Sequence, residues 1–136
     1  MRRLLLILLL PMFAQAAEPT LAIRGYDPVA YFTLQRATPG NAQLTLDWDE
    51  HRWQFANANH RDLFKADPAR YAPQFANFCA VALTRGELAP ANPEYWLISD
   101  GRLYLFGKPA GPDLFRSNLP ANLEKARQNR ALTRTH

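Results

Sequence analysis

Two parts of the chain alternate apolar and polar residues in the way that half-buried β-hairpins do. The first part comprises Leu44 to Trp48 and Arg52 to Phe55, which a short polar turn separates. The second comprises Tyr95 to Ile98 and Leu103 to Phe106, on either side of Asp100-Gly101. An Asp-Gly dipeptide accepts the positive φ angles of a tight hairpin turn. The pattern therefore predicts two hairpins, each with one buried face.

The segment after the first hairpin has the features of a short helix. Asn57 is a helix-capping residue at its start, and Asp67-Pro68 ends the helical pattern. Leu63 and Phe64 lie within this segment, and we expect them to face the core.

Apolar spacing predicts two further helices. The first has an apolar stripe that ends before Gly86 and is formed by Phe75, Phe78, Cys79 and Ala82. The second runs from Ala121 to about Leu132, and its Lys125, Arg127 and Arg130 mark a face that we expect to be solvated. Residues 26–32 form another short apolar run, which predicts a strand at the edge of a sheet.

These elements predict one small α+β domain with two β-hairpins and three to four short helices packed on an aromatic core. The core would draw on 8 Phe, 5 Tyr and 3 Trp residues. A chain of 136 residues fits a single domain, and we find no repeat in the sequence.

The N-terminus has the three parts of a secretory signal peptide. Met1-Arg2-Arg3 is positively charged, Leu4 to Leu10 is an unbroken apolar run, and Ala14-Gln15-Ala16 supplies the small residues that signal peptidase requires. The apolar run is too short to span a bilayer. We therefore predict a cleaved signal peptide over residues 1–16, a single domain over residues 17–136, and a periplasmic or secreted location.

Composition and charge limit the function classes that remain. The formal net charge is +4, and loss of Arg2 and Arg3 with the signal peptide lowers it to +2, which argues against a nucleic-acid partner. The single cysteine excludes an internal disulfide and a four-cysteine zinc site. The sequence has no phosphate-binding loop, dinucleotide fingerprint or serine-hydrolase motif.

Cys79 is the residue with the most reactive chemistry. A thiolate binds soft metals or acts as a nucleophile, whereas a buried thiol behaves as a small apolar group. His60, with Asp62 nearby, is a candidate partner for Cys79, and its other interpretation is a surface histidine at a helix start. We expect His51, in a hairpin turn, and His136, at the chain end, to be solvated.

Residues 25–32, Gly-Tyr-Asp-Pro-Val-Ala-Tyr-Phe, form the most distinctive string. Asp27 and the proline that follows it fix a turn. The Tyr26 and Tyr31 hydroxyls can line a pocket or complete a buried polar network. The string therefore indicates either part of a binding site or a structural corner.

Several strings in a fixed order resemble the exported small proteins of the YHS domain family. The strings that carry the resemblance are residues 25–32, 59–64, 66–74, 78–80, 100–105 and 119–122. The resemblance extends from about residue 22 to residue 132, and the family is in turn similar to treble-clef-like heavy-metal-binding domains. It therefore implies metal handling, with copper as the expected ion.

The sequence departs from the metal-binding relatives at two places. Those relatives carry a cysteine soon after an Asp-Pro-Val string, where this chain has Ala30. They carry another on the short helix after the second strand, where this chain has residues 57–59, Asn-Ala-Asn. Cys79 therefore remains as the one thiolate available to a metal.

Two classes of function follow. The first is an exported binding protein for a soft metal such as copper, or for a small ligand, with Cys79 and His60 as metal ligands and with Tyr26, Asp27 and Tyr31 in the binding site. The second is a non-catalytic accessory module that docks on an envelope protein and has a structural Cys79 and no metal. A thiol enzyme is a third alternative and requires a base beside Cys79, but we favour a protein that is not an enzyme and assign no catalytic residue.

Overall fold

The computed structural model describes residues 4–13 and 17–134. Residues 4–13 are exposed and form no helix or strand. The predicted cleavage motif Ala14-Gln15-Ala16 and His136 lie outside the described residues. Within the described ranges, no helix has the length and apolar character needed to cross a bilayer.

The described chain folds as one small domain of short helices and two small sheets, which confirms the predicted α+β class. The strands are β1 (Thr20–Leu21), β2 (Asn41–Trp48), β3 (His51–Phe55), β4 (Asn92–Ser99) and β5 (Arg102–Phe106). The helices are α1 (Ala30–Thr33), α2 (Ala58–Ala66), α3 (Pro68–Tyr71), α4 (Ala80–Thr84), α5 (Gly111–Ser117) and α6 (Leu119–Gln128). A left-handed turn over Ala22–Gly25 precedes α1, and a 3-10 helix over Arg130–Arg134 follows α6.

Both predicted hairpins are present. Strands β2 and β3 pair in antiparallel fashion, and the short β1 adds a parallel strand to the outer edge of β3. Strands β4 and β5 form a separate two-stranded sheet. The turn of each hairpin has two residues with positive φ, namely Asp49 (51°) and Glu50 (64°) in the first and Asp100 (52°) and Gly101 (70°) in the second.

Two predicted elements differ from the structure. Residues 26–32 do not form an edge strand, because the Asp27 carboxylate accepts hydrogen bonds from the N–H groups of Val29 (2.9 Å) and Ala30 (3.3 Å) and so starts α1. The helix expected from Phe75 onward begins only at Ala80. Its first part is a turn instead, in which Ala76 has a positive φ of 52°.

The two hairpins repeat one structural unit, although the sequence shows no repeat. The register of β2 with β3 reappears in β4 with β5, displaced by 51 positions along the chain, so that Trp48 opposite His51 corresponds to Ser99 opposite Arg102. Each hairpin has its irregularity at the same place, and each begins with an asparagine whose side chain accepts from the N–H two residues later, Asn41 in β2 and Asn92 in β4.

The helix after each hairpin belongs to the repeat as well. Phe64 of α2 lies against two strand residues of the first hairpin, and Phe115 of α5 lies against two of the second. The ring centroids are 5.0 Å apart for Trp53–Phe64, 5.2 Å for Phe55–Phe64, 5.4 Å for Tyr104–Phe115 and 5.5 Å for Phe106–Phe115. Each hairpin and the helix that follows it therefore form one half of the domain with its own aromatic core. The buried apolar residues form two clusters, one for each half. The exceptions are Ala91, Leu103 and Leu105, which come from the second half and pack in the cluster of the first.

Candidate functional site

The Asp27 side chain makes four polar contacts through its two carboxylate oxygens. It is fully buried, and its Oδ1 accepts from the N–H groups of Val29 and Ala30 at the start of α1. Its Oδ2 accepts from the Ala56 N–H at 2.8 Å and contacts His60 Nδ1 at 2.6 Å. A buried carboxylate needs such partners, because loss of hydration is otherwise very costly. Asp27 therefore ties α1, the end of β3 and α2 together.

His60 is buried, which differs from the surface position considered from sequence. The Asn57 side chain caps α2 by accepting from the His60 N–H at 2.8 Å, and this places the imidazole one turn into the helix. The carboxylate that meets His60 is Asp27 rather than Asp62, which is exposed on the same helix.

Thr33 completes the contacts of His60. The Nε2 atom of His60 lies 3.0 Å from Thr33 Oγ1, at the end of α1. Both ring nitrogens therefore have protein partners, Asp27 on one side and Thr33 on the other. Sequence analysis did not identify Thr33, because its contact with His60 depends on how α1 and α2 pack together.

The two tyrosines of the 25–32 string bind the start of β4. Tyr31 is fully buried and donates to the Pro93 carbonyl at 2.7 Å, and burial raises the pKa of its hydroxyl well above the usual value. Tyr26 donates to Glu94 Oε1 at 2.6 Å, and this hydrogen bond is the main cause of its raised pKa. Both hydroxyls therefore connect the first half of the chain to the second.

Cys79 is a buried free thiol in the core cluster of the second half, whereas the residues around His60 belong to the first half. Its backbone N–H donates to the Ala89 carbonyl at 2.8 Å, and the residue precedes α4. A Cβ placed on Gly107 would lie 3.9 Å from Cys79 Sγ. Among the described residues, the thiol has no hydrogen-bond partner, and no group of three or more His, Cys, Asp or Glu side chains is arranged to hold a metal.

Among the described residues, Cys79 and His60 do not belong to a group of three or more side chains that could hold a metal ion. A soft metal bound by one thiolate requires additional donors. His60, the expected second ligand, has both ring nitrogens in contact with protein groups, Asp27 and Thr33. Copper binding stays a prediction that a Cu(I) titration can test.

The described residues also line an open cleft of about 730 Å³. It lies between the turn of the first hairpin, the segment that follows α3, the start of β5 and the 3-10 helix at the end of the chain. The residues that line it include Trp48, Trp53, Gln74, Arg102 and Arg130.

Two arginines of this cleft meet at one neutral oxygen. Gln74 Oε1 accepts from Arg102 Nη1 at 3.3 Å and from Arg130 Nη2 at 3.2 Å, and Arg130 Nη2 also lies 3.3 Å from the Gln74 carbonyl. Arg130 stacks over the Phe75 ring, with its Cζ 5.5 Å from the ring centroid. Its Nε is buried and has no hydrogen-bond partner within residues 4–13 and 17–134.

Arg130 therefore differs from the solvated residue that helical spacing predicts. The helix α6 ends at Gln128, and the change to a 3-10 helix turns Arg130 toward Gln74 and Phe75. Arg102 is the second cleft residue that sequence analysis missed. Arg102 directly follows a hairpin turn. Charged residues are common at such positions, so the sequence does not indicate that Arg102 lines a cleft.

Comparison with known proteins gives no relative: no family model, no curated protein and no solved structure matches the chain.

Proposed function

We propose that the protein is an exported, non-catalytic binding module of YHS-like type, in which Cys79 is structural. The YHS-like character rests on the ordered sequence strings, and export rests on the signal-peptide pattern of residues 1–16. The structural role of Cys79 is inferred from its position in the internal repeat, where it is equivalent to Asp27.

The backbone supports this equivalence at several points. Tyr26 bridges to Pro39, and Phe78 bridges to Pro90, so the residue before Asp27 and the residue before Cys79 make the same contact. The N–H of Asp27 donates to the Thr38 carbonyl at 2.8 Å, as that of Cys79 does to Ala89.

The residue at the position equivalent to His60 differs between the halves. The repeat places Gly111 where α2 has His60, and a Cβ on Gly111 would lie only 2.5 Å from the Phe106 Cβ. A side chain at position 111 would therefore clash with Phe106, so an imidazole does not fit at the position equivalent to His60. Asp27 and His60 form a buried polar contact. Cys79 instead packs among apolar residues. This difference favours a packing role for the thiol.

This arrangement also argues against a thiol enzyme. A nucleophilic cysteine needs a base within hydrogen-bond reach, a lowered pKa and access to substrate. Cys79 is buried, and no described side chain is placed to accept its proton. These features favour a binding site elsewhere on the domain.

A competition titration tests the proposal. The reduced protein without residues 1–16 is titrated against a chromogenic Cu(I) chelator, beside the Cys79→Ala variant, and reaction of the native thiol with a disulfide reagent is timed with and without denaturant. We expect equal competition by both proteins, and a thiol that reacts quickly only after unfolding. Tenfold weaker Cu(I) binding by a folded Cys79→Ala variant would overturn the structural role and support the copper site.

A further inference from the structure

We infer that the cleft between the first hairpin turn and the C-terminal 3-10 helix binds a carboxylate carried on an aromatic body, with Arg102 and Arg130 holding the anion. This inference rests on the proposed binding function and names its ligand class. The Arg102 and Arg130 guanidinium groups both donate to the Gln74 amide oxygen, which is neutral and leaves their positive charges uncompensated.

Arg102 and Arg130 differ from Arg52, whose charge is paired with carboxylates. Arg52 pairs with Asp47 at 2.9 Å and lies 3.6 Å from Glu18. In the described part of the chain, neither Arg102 nor Arg130 lies within 4.0 Å of a carboxylate. Their positive charge is therefore available to a ligand.

The donors of Arg130 are also incompletely used. Its Nη2 is held by Gln74, whereas its buried Nε lacks a partner in the described chain. A buried donor without an acceptor costs free energy, which an acceptor placed beside it would recover. The planar guanidinium fork matches two carboxylate oxygens. Because Phe75 supports the Arg130 guanidinium from one face, the fork is held in position before a ligand arrives.

The aromatic part of the ligand is inferred from the other lining residues. Trp48 is partly exposed, and its ring centroid is 6.2 Å from that of Trp53. The Trp53 indole N–H donates to the Trp48 carbonyl at 3.0 Å, which fixes the pair in place. Aromatic side chains of this kind form the apolar wall of small-molecule sites, where a few charged groups fix orientation.

Acidic residues at the rim limit the charge of the ligand. Asp49 and Glu50 line the same cleft and are exposed. They repel a group with several negative charges more than one with a single charge. A monocarboxylate is therefore favoured over phosphate, although both present oxygen acceptors to arginine.

The test is a titration of the isotope-labelled protein without residues 1–16, followed by NMR. The probes are phenylacetate, its neutral analogue phenylacetamide, and inorganic phosphate. The variant is Arg102→Gln, because Arg102 is exposed and its removal leaves the core intact. Arg127→Gln is the matched control, since Arg127 is also exposed, loses the same charge and does not line the cleft.

We expect phenylacetate to shift the Trp48 indole and Arg130 Nε–H signals to saturation, with about tenfold weaker binding in Arg102→Gln and unchanged binding in Arg127→Gln. Equal binding of phenylacetate and phenylacetamide, or tighter binding of phosphate than of phenylacetate, would overturn the ligand class. Absence of saturable shifts with all three probes would overturn the site. None of these results bears on Cys79, so failure here is distinct from failure of the Cu(I) titration.

Discussion

Asp27 and Cys79 occupy equivalent positions in the two halves of the domain. The N–H group of each donates at 2.8 Å to a carbonyl shortly before the following hairpin, and a short helix follows each residue, three positions after Asp27 and directly after Cys79. The first half stabilises this corner with a buried carboxylate and an imidazole. The second half uses a thiol among apolar neighbours, so the two corners should respond very differently to substitution.

Replacement of Asp27 by asparagine should strongly destabilise the fold. The amide keeps the size of the carboxylate but cannot accept from His60, Ala56 and the N–H groups at the start of α1 together. We expect the free energy of unfolding to fall by about 3 to 5 kcal/mol, measured by urea denaturation. Asp62→Asn is the control, since Asp62 is exposed, and it should change the value by less than about 0.5 kcal/mol. A similar decrease in the free energy of unfolding of both variants would contradict a stabilising role for the Asp27–His60 contact.

Replacement of Cys79 by alanine should have a much smaller effect. The thiol makes no hydrogen bond among the described residues, so only its packing in the second core cluster is lost. We expect a loss of about 1 kcal/mol in the same urea measurement. A loss as large as that of Asp27→Asn would show that Cys79 has a polar partner and would contradict the apolar corner.

Substitution in the first hairpin turn should stabilise the protein. Glu50 has a φ of 64°, a conformation that costs a residue with a side chain more than it costs glycine. Glu50→Gly should therefore raise the free energy of unfolding by about 1 kcal/mol.

The second hairpin turn supplies the control for this prediction. Gly101 has a φ of 70°, and a Cβ there would meet no atom within 4 Å. Gly101→Ala should lower stability by about 1 kcal/mol through backbone strain alone. Thermal unfolding of both variants measures the effect, and a Glu50→Gly variant that melts below the wild type would contradict it.

Stability should fall in alkali because of Tyr31. Burial raises the pKa of its hydroxyl in the folded state, so the unfolded chain loses this proton first. The contribution of protonated Tyr31 to the free energy of unfolding is complete below the pKa of about 10 in the unfolded chain. It decreases as the pH rises above that value, by up to about 1.4 kcal/mol per pH unit.

Urea denaturation between pH 8 and pH 11, as a rough range around the usual tyrosine pKa, measures this decrease. Tyr31→Phe should start about 1 kcal/mol less stable, because it loses the hydrogen bond to the Pro93 carbonyl, and should then decline less steeply. Parallel curves for the two proteins would show that Tyr31 does not cause the alkaline loss.

The elements that sequence predicted best are those with a local cause. The Asp100-Gly101 turn follows from the φ angles that the two residues accept, and α2 follows from its Asn57 cap. The segment 26–32 was predicted wrongly as a strand, because its apolar residues serve a buried helix and not a half-buried sheet. Periodicity over so few residues cannot distinguish the two.

The sequence by itself determined the α+β class, the two hairpins and the aromatic residues available for the core, because these depend on residue type and on spacing over a few positions. Only the tertiary structure decided that Asp27 meets His60, that Cys79 lies beside Gly107, and that Arg102 and Arg130 share the Gln74 oxygen. Those contacts join residues that are distant along the chain, and no local preference specifies which of them meet.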